Sequence, residues 1–481
     1  MNFWKIKQMK ILIRAANWVG DAIMTTPVIR AVRRHYPSAH ITLLAKPWVI
    51  PVFHHNPNID TILLYDDGGR HTRGWGTIRL ARDLRRHGFD MAILMQNAFE
   101  AALITFLAGI PRRIGYNTDG RTLLLNPSIK MDKALKKGHL VDYYRGILKG
   151  ASITDHGPDL DIFITQEERL NALKILDSHG IVSGVVTGTL PDAVPGTLPD
   201  AVPARQGDGR DEGDGKDVGK PPHIGINHGG KTPLTGINHG EKPPLTGINH
   251  GKKPPLIGIN PGATGGTAKR WFPHRYGELA KQLHEYLKEQ YGDGKELYGD
   301  GKEIDGTKLY EDGKEMHGDE KSPHRVQKPA RGDHASRILI FGGPGEAELG
   351  DRINRLSGDV CINLAGMTTL REAFALIQLC DLFITNDSGL MHGAAALGTP
   401  LIAIIGSTDP GATGPTGERS KVVRTEVPCT PCLKKHCPGD HLCMELVSVD
   451  MVMEAAVGML KGMYGFPDNG GGSPQLRETQ L

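Results

Sequence analysis

"LREAFALIQLCDLFITNDSGLMHGAAALGTPLIAIIG", residues 370–406, decides the fold class of this chain. Leu370–Cys380 carries its apolar residues at helical spacing. "DLFITND" is a short apolar run ending in two polar residues, as a buried strand does where it meets a loop. "GLMHGAAALG" returns to a helix, and "PLIAIIG" is another continuous apolar run. Strand, turn, helix and strand in succession are the signature of a parallel sheet wound with helices.

Working outward, the same alternation continues. Upstream lie a strand at Leu256–Asn260, a helix over Pro273–Lys288, a strand at Arg337–Phe341 and a helix over Glu346–Leu356. The first half repeats the theme. Lys10–Arg14 is a strand, followed by a glycine-containing turn and a helix to about Tyr36. Further strands are expected at Ile41–Ala45, Thr61–Tyr65 and Met91–Met95, with a helix over Thr77–His87. The fold class is therefore α/β, with an N-terminal wound domain over 9–183 and a C-terminal one over 256–465.

Between and within these domains the composition changes. "GTLPDAVP" occurs at 188–195 and again at 196–203, and "GINHG" begins at Gly225, Gly236 and Gly247 before a fourth copy, "GINPG", at Gly258. A second zone, 291–334, echoes "YGDGKEL", "YGDGKEI" and "YEDGKEM". Units this short, with one or two apolar residues each, cannot stack into a solenoid or bury a core. Residues 184–255 and 291–334 are expected to be disordered insertions, and 466–481 a disordered tail. Only the fourth copy holds Pro-Gly-Ala and leads into "TAKRWFP", so it is the working loop; the other three are an expansion by tandem duplication.

The formal net charge of +3 carries no global signal for nucleic acid. The N-terminus has basic residues but no apolar core with a small-residue cleavage site, and no run of 18 apolar residues occurs. A cytoplasmic protein is expected, with its 6 cysteines present as thiols or metal ligands. Met9 is as plausible a start as Met1, since the first strand begins at Lys10.

Three loops fall at the C-terminal ends of strands, where wound sheets bind ligands. In "NWVGDAIMTTP" (17–27), Gly20 permits a tight turn and Asp21 opens a helix, as either a cap or a reactive carboxylate. In "NPGATGGTAKRWFP" (260–273), Gly262 and the Gly265-Gly266 pair let backbone N–H groups approach an anion, and Lys269 adds a cation. The loop fits a diphosphate but matches neither the P-loop nor the dinucleotide fingerprint. In "ITNDSGLMHGAAALG" (384–398), Asp387, Ser388 and Gly389 open a helix whose N–H groups attract anions, with His392 one turn further in. The local alternatives are capping for Asp387 and helix packing for His392.

The order "WVGDAIMTTP", "GINPGA" with "AKRW", "FGGPGEAE" and "NLAGMTTLREAFALIQLCDLFITNDSGLMHGAAALGTPLIAIIG" resembles the ADP-heptose–lipopolysaccharide heptosyltransferases, glycosyltransferase family 9. Trp18-Val19-Gly20-Asp21 and Ala268-Lys269-Arg270-Trp271 are most similar to its heptosyltransferase II branch. The resemblance implies a GT-B fold, two Rossmann-like domains facing a central cleft, with the acceptor on the first and ADP-heptose on the second. It implies a catalytic role for Asp21 and a donor-phosphate role for Lys269. Gly262, Thr264, Asp387, Ser388, Gly389 and His392 would bind the donor, and Glu346 its ribose. The sequence departs from the family pattern at Gly266-Thr267 and Phe272, where Gly-Pro and Pro are usual.

The implied activity is inverting transfer of L-glycero-D-manno-heptose from ADP-heptose to the first heptose of the lipopolysaccharide inner core. Heptosyltransferase I or III is the runner-up, and a nucleotide-sugar 2-epimerase shares the fold. No Asp-x-Asp motif occurs in the three loops, so no cofactor is expected to be required. The acceptor is lipid A-linked and phosphorylated, which implies peripheral contact with the cytoplasmic face of the inner membrane and no nucleic-acid partner. Arg79, Arg112 and Arg113, in a region that also holds Arg70, Arg73, Arg82, Arg85 and Arg86, are the candidates for acceptor binding. Cys429, Cys432, Cys437 and Cys443 open with C-x2-C; structural zinc, free thiols and a redox pair all fit that spacing.

Overall fold

The computed structural model describes residues 8–181, 254–291 and 337–464. The expected insertions at 184–255 and 291–334, apart from their end residues, and the tail at 466–481 lie outside the described residues.

The strands of the first sheet are β1 (Lys10–Arg14), β2 (His40–Ala45), β3 (Thr61–Leu64), β4 (Met91–Leu94), β5 (Arg112–Tyr116) and β6 (Ser128–Ile129). They pair in parallel in the order β3-β2-β1-β4-β5-β6. The second sheet holds β7 (Ile257–Asn260), β8 (Ile338–Ile340), β9 (Cys361–Asn363), β10 (Leu382–Asn386), β11 (Leu401–Ile404) and β12 (Ser420–Val423). Its order, β12-β11-β10-β7-β8-β9, is the same winding counted from its own first strand. Each sheet therefore has a switch point, beside β1 and β4 in one and β7 and β10 in the other. Crevices open at the C-terminal ends of strands at such points.

The helices before the first break are α1 (Val19–Met24), α2 (Thr26–His35), α3 (Trp75–Arg85), α4 (Phe99–Leu107), α5 (Lys133–Lys137), α6 (Leu140–Ala151) and α7 (Gln166–Ser178). After it come α8 (Pro273–Tyr291), α9 (Ala347–Ser357), α10 (Leu370–Leu379), α11 (Gly389–Leu397), α12 (Pro410–Thr413), α13 (Leu442–Glu445) and α14 (Val449–Tyr464). The single helix expected up to Tyr36 is two. Thr25 Oγ1 donates to the Ala22 carbonyl at 2.7 Å, and Pro27, with no N–H, suits the first turn of a new helix.

Strand residues alternate between two apolar layers, as the pleat requires. Ile11, Ile13, Ile41, Leu43, Met91 and Ile93 share one cluster with α1, α2 and α6. Leu12, Leu44, Ala92 and Leu94 share another with Leu80 and Leu84 of α3 and Ala102 and Ile104 of α4. The first cluster continues into the C-terminal half through Phe374, Leu376 and Met391. Helix α7 bridges the halves: a capping box of Thr165 and Glu168 starts it, and it packs against α10, where Arg371 Nε donates to Glu168 Oε1 at 2.7 Å.

The ends of the described segments share one corner. Arg337, just before β8, donates to the Ile181 carbonyl at 2.8 Å and also to the Pro254 carbonyl. Residues 181, 254 and 337 thus meet at the N-terminal edge of the second sheet, opposite the edge that carries the loops of interest.

Candidate active site

Asp21 stands in the first turn of α1, just beyond the C-terminal end of β1. It is not a cap; that position is Trp18, and no side chain caps this helix. Burial pushes the Asp21 carboxyl up to about 6; Lys269 pulls it down and Asp387 pushes it further up. A carboxyl held near 6 is ionised at neutral pH yet basic enough to accept a proton from a hydroxyl.

Lys269 arrives from the other half. Its loop leaves β7 at Asn260 and passes Gly265 and Gly266, whose φ values of 100° and 137° lie where only glycine is at ease. Lys269 Nζ then meets Asp387 Oδ2 at 2.7 Å, and Thr408 Oγ1 donates to the same oxygen at 2.6 Å. Asp387 thus pairs with the lysine rather than capping α11. Ser388 is the cap, accepting from the Met391 amide at 3.3 Å.

Two asparagines that sequence reasoning passed over hold this loop in place. Asn260 Nδ2 donates to Thr385 Oγ1 at 3.0 Å and Ser388 Oγ at 2.9 Å. Asn386 Nδ2 donates to the Pro261 carbonyl at 2.7 Å, while its Oδ1 accepts from the Trp271 amide and the Tyr276 hydroxyl, both at 3.1 Å. The available signal was an amide residue at the last position of two neighbouring apolar strands. A buried amide there must find partners, and the adjacent loop supplies them.

Glu346 lies beneath the same loop. Its carboxylate accepts from the Gly343 amide at 2.9 Å and pairs with Arg270 at 3.5 Å, and a Cβ on Gly262 would stand 2.1 Å from its Oε1. Thr264 is exposed at the loop's tip. His392 is 3% exposed and its Nδ1 is buried without a hydrogen-bond partner. Burial pushes its pKa down to about 4, so it is neutral. It packs on Gly20, where a Cβ would lie 2.9 Å from its ring; Gly389 abuts Val19 in the same way, at 3.1 Å. The starts of α1 and α11 thus close on each other, bringing Asp21, Lys269, Asp387 and His392 into one electrostatic neighbourhood.

The cysteine segment supports this loop. The Ala268 amide donates to the Lys435 carbonyl at 3.0 Å, His441 Nε2 meets the Ala268 carbonyl at 2.9 Å, and Thr267 Oγ1 meets His436 Nδ1 at 3.2 Å. Of the three states open to Cys429, Cys432, Cys437 and Cys443, the structure shows free thiols, and among the described residues no group of three or more His, Cys, Asp or Glu is arranged to hold a metal ion. Cys443 is buried, with its Sγ 2.8 Å from where a Cβ on Gly406 would be, whereas Cys429 is exposed.

The three arginines named as acceptor candidates lie on β5 and α3. Arg112 and Arg113 begin β5, at the edge of the sheet away from Asp21. Arg113 Nε donates to the Leu124 carbonyl at 2.6 Å and its guanidinium also meets the Ile110 carbonyl, so it braces the turn that enters the strand. Arg79 is exposed on α3 and donates to the Arg70 carbonyl at 3.0 Å.

Two identically wound domains that meet at the C-terminal ends of their strands, one supplying a buried carboxylate and the other a lysine in a glycine-rich loop, define a GT-B glycosyltransferase. The family model for glycosyltransferase family 9 (heptosyltransferase) matches residues 77–179 and 330–443. The chain belongs to that family. It is 27% identical to lipopolysaccharide heptosyltransferase 2 of Salmonella typhimurium, over 86% of this chain and 88% of that protein. Its fold is shared with the solved structure of E. coli ADP-heptose lps heptosyltransferase II, at 23% identity and TM-score 0.60, over 95% of this chain and 99% of that one. It is shared also with a family 9 glycosyl transferase from Veillonella parvula, at 20% identity and TM-score 0.62, over 94% and 97%.

Proposed function

We propose that this enzyme transfers heptose from ADP-heptose to the first heptose of a lipid A-linked inner core, with inversion. The observation that carries the reading is that the α1–α11 contact sets the buried Asp21 within the electrostatic reach of Lys269 and its partner Asp387. The acceptor hydroxyl gives its proton to an Asp21 carboxylate oxygen as its own oxygen attacks the anomeric carbon. The bond from that carbon to the diphosphate breaks, and ADP leaves with the electron pair. Lys269, released from Asp387, meets the charge that grows on the diphosphate, a contribution often worth about 3 kcal/mol. Ser388 and Gly389 supply the start of α11, and Gly262 and Thr264 the backbone and tip of the lysine loop. Glu346 keeps the loop's shape and meets the donor's ribose when donor binds. Thr408 and Asn386 hold the partners in register. The step uses side chains and backbone amides alone, so no cofactor enters it.

Such an acceptor lies in a leaflet, so the protein works peripherally at the cytoplasmic face of the inner membrane. No helix among the described residues is long and apolar enough to cross a membrane. The deciding experiment offers ADP-heptose and lipid A cores carrying zero, one or two heptoses, and weighs the products. Addition to the one-heptose core alone is expected; addition to either other core reassigns the acceptor, and isomerised sugar nucleotide without transfer overturns the reading.

A further inference from the structure

The outer side of α3 and α4 brings large apolar side chains and arginines together. Both helices bury their inner faces on the first sheet through Leu80, Leu84, Ala102 and Ile104. Outward they present large apolar groups: Trp75 is 83% exposed, Ile78 50% and Phe106 47%, with Phe99, Leu107 and the nearby Leu123 also exposed. On α3, Trp75, Ile78, Arg79, Arg82 and Arg86 follow the helical repeat and form one stripe. Residues 68–113 contain eight arginines and no lysine against three acids, Asp83, Asp90 and Glu100. Those acids are engaged: Asp83 is buried and accepts from Arg70, Asp90 accepts from the Lys10 amide, and Glu100 accepts from Thr77. Arg70 and Arg86 share Asp83, and Arg79 and Arg85 donate to backbone carbonyls, so the surface keeps an excess of guanidinium charge over carboxylate among aromatic and aliphatic side chains.

We propose that the outer face of α3 and α4 docks on a bilayer containing anionic phospholipid. An acidic protein would be matched by the arginines but would leave the exposed Trp75 and Phe106 without purpose. A bilayer interface uses both, taking tryptophan at the headgroup level and pairing guanidinium with phosphate. The orientation is also suitable. Trp75 and Phe99 open their helices, so they stand at the C-terminal edge of the first sheet, the edge that carries Asp21. A face so docked presents lipid-borne sugar to the cleft mouth, a consequence that rests on the acceptor proposed above.

The test is sedimentation of the full chain with vesicles of equal parts phosphatidylcholine and phosphatidylglycerol, and with phosphatidylcholine alone, without donor or acceptor. Binding to the mixed vesicles only is expected. Arg73→Glu/Arg82→Glu should weaken it about tenfold or more. Trp75→Ala/Phe106→Ser should weaken it about threefold or more. Trp75→Phe should remove a blue shift of tryptophan emission on vesicle addition. Both double variants should keep wild-type thermal stability and activity on a deacylated, soluble acceptor. Vesicle binding untouched by either double variant overturns the surface. Sensitivity to the charge change alone makes it a polyanion site and overturns the bilayer. Wild type that binds vesicles but transfers nothing sinks the transferase reading and leaves the surface standing; transfer to soluble acceptor without vesicle binding does the reverse.

Discussion

At the scale of single residues, Asp21 sets activity and stability against each other. Its carboxyl is raised from an ordinary 3.8 to about 6 by burial. As the proposed base it must be ionised, so kcat/KM should climb about tenfold per pH unit below 6 and level off above. Stability runs the other way. A folded-state pKa above the unfolded one means the native protein holds the proton more tightly, so stability is highest below pH 4 and falls as pH rises through 6. Asp21→Asn should accordingly lower kcat by about a hundredfold or more while leaving ADP affinity nearly unchanged. The same variant should be more stable than wild type at pH 7.5, by roughly 1–3 kcal/mol, with the gain vanishing near pH 4. Chemical denaturation at the two pH values checks this; equal stability at both would mean Asp21 is solvated. Lys269→Ala should weaken donor binding and turnover together, because the cation meets a charge that increases in the transition state. Calorimetry with ADP and steady-state rates separate the two effects.

At the scale of elements, the lysine loop owes its shape to neighbours on three sides. Gly266 approaches the Lys435 carbonyl so closely that a Cβ would sit 2.0 Å from it. Gly266→Ala should therefore push the cysteine segment off the loop and raise the KM for donor more than it lowers kcat, as measured by initial rates over a donor series. His441→Gln, which keeps a donor for the Ala268 carbonyl, should be milder than His441→Ala. Strands β1 to β4, β7, β8, β10 and β11, with the loops at their ends, were readable from apolar runs and glycine positions, because burial on both faces leaves parallel strands almost free of polar residues. What was not readable is informative. Strand β5 begins with Arg112 and Arg113, and their charge masked the apolar run of Ile114–Tyr116 behind them. Asp387 and Ser388 are adjacent and equally good caps, so only the position of Lys269 in three dimensions separates their roles. Asn260 and Asn386 act through partners more than a hundred residues away, which no local pattern records.

At the scale of the whole molecule, catalysis and chain length are kept apart. Deleting residues 186–250 leaves Val182–Val185 and Gly251–Lys253 to join Ile181 to Pro254. Closure entropy changes by only about 0.6 kcal/mol per halving of a flexible loop. The deletion protein should fold and transfer sugar at near wild-type rate, as judged by its thermal transition and by product mass. Treatment with a chelator should likewise leave transfer intact, since charge on the departing diphosphate is assigned to Lys269 and the start of α11. A requirement for added metal, restored by a divalent cation, would refute that assignment.

Arg337 gives this separation a hereditary consequence. Because one guanidinium holds Ile181 and Pro254 together beside β8, the gene can gain or lose whole eleven-residue copies by slippage without shifting any strand that carries the chemistry. The copy number of "GINHG" is then a neutral counter, expected to differ among strains whose Asp21, Lys269 and Arg337 codons agree.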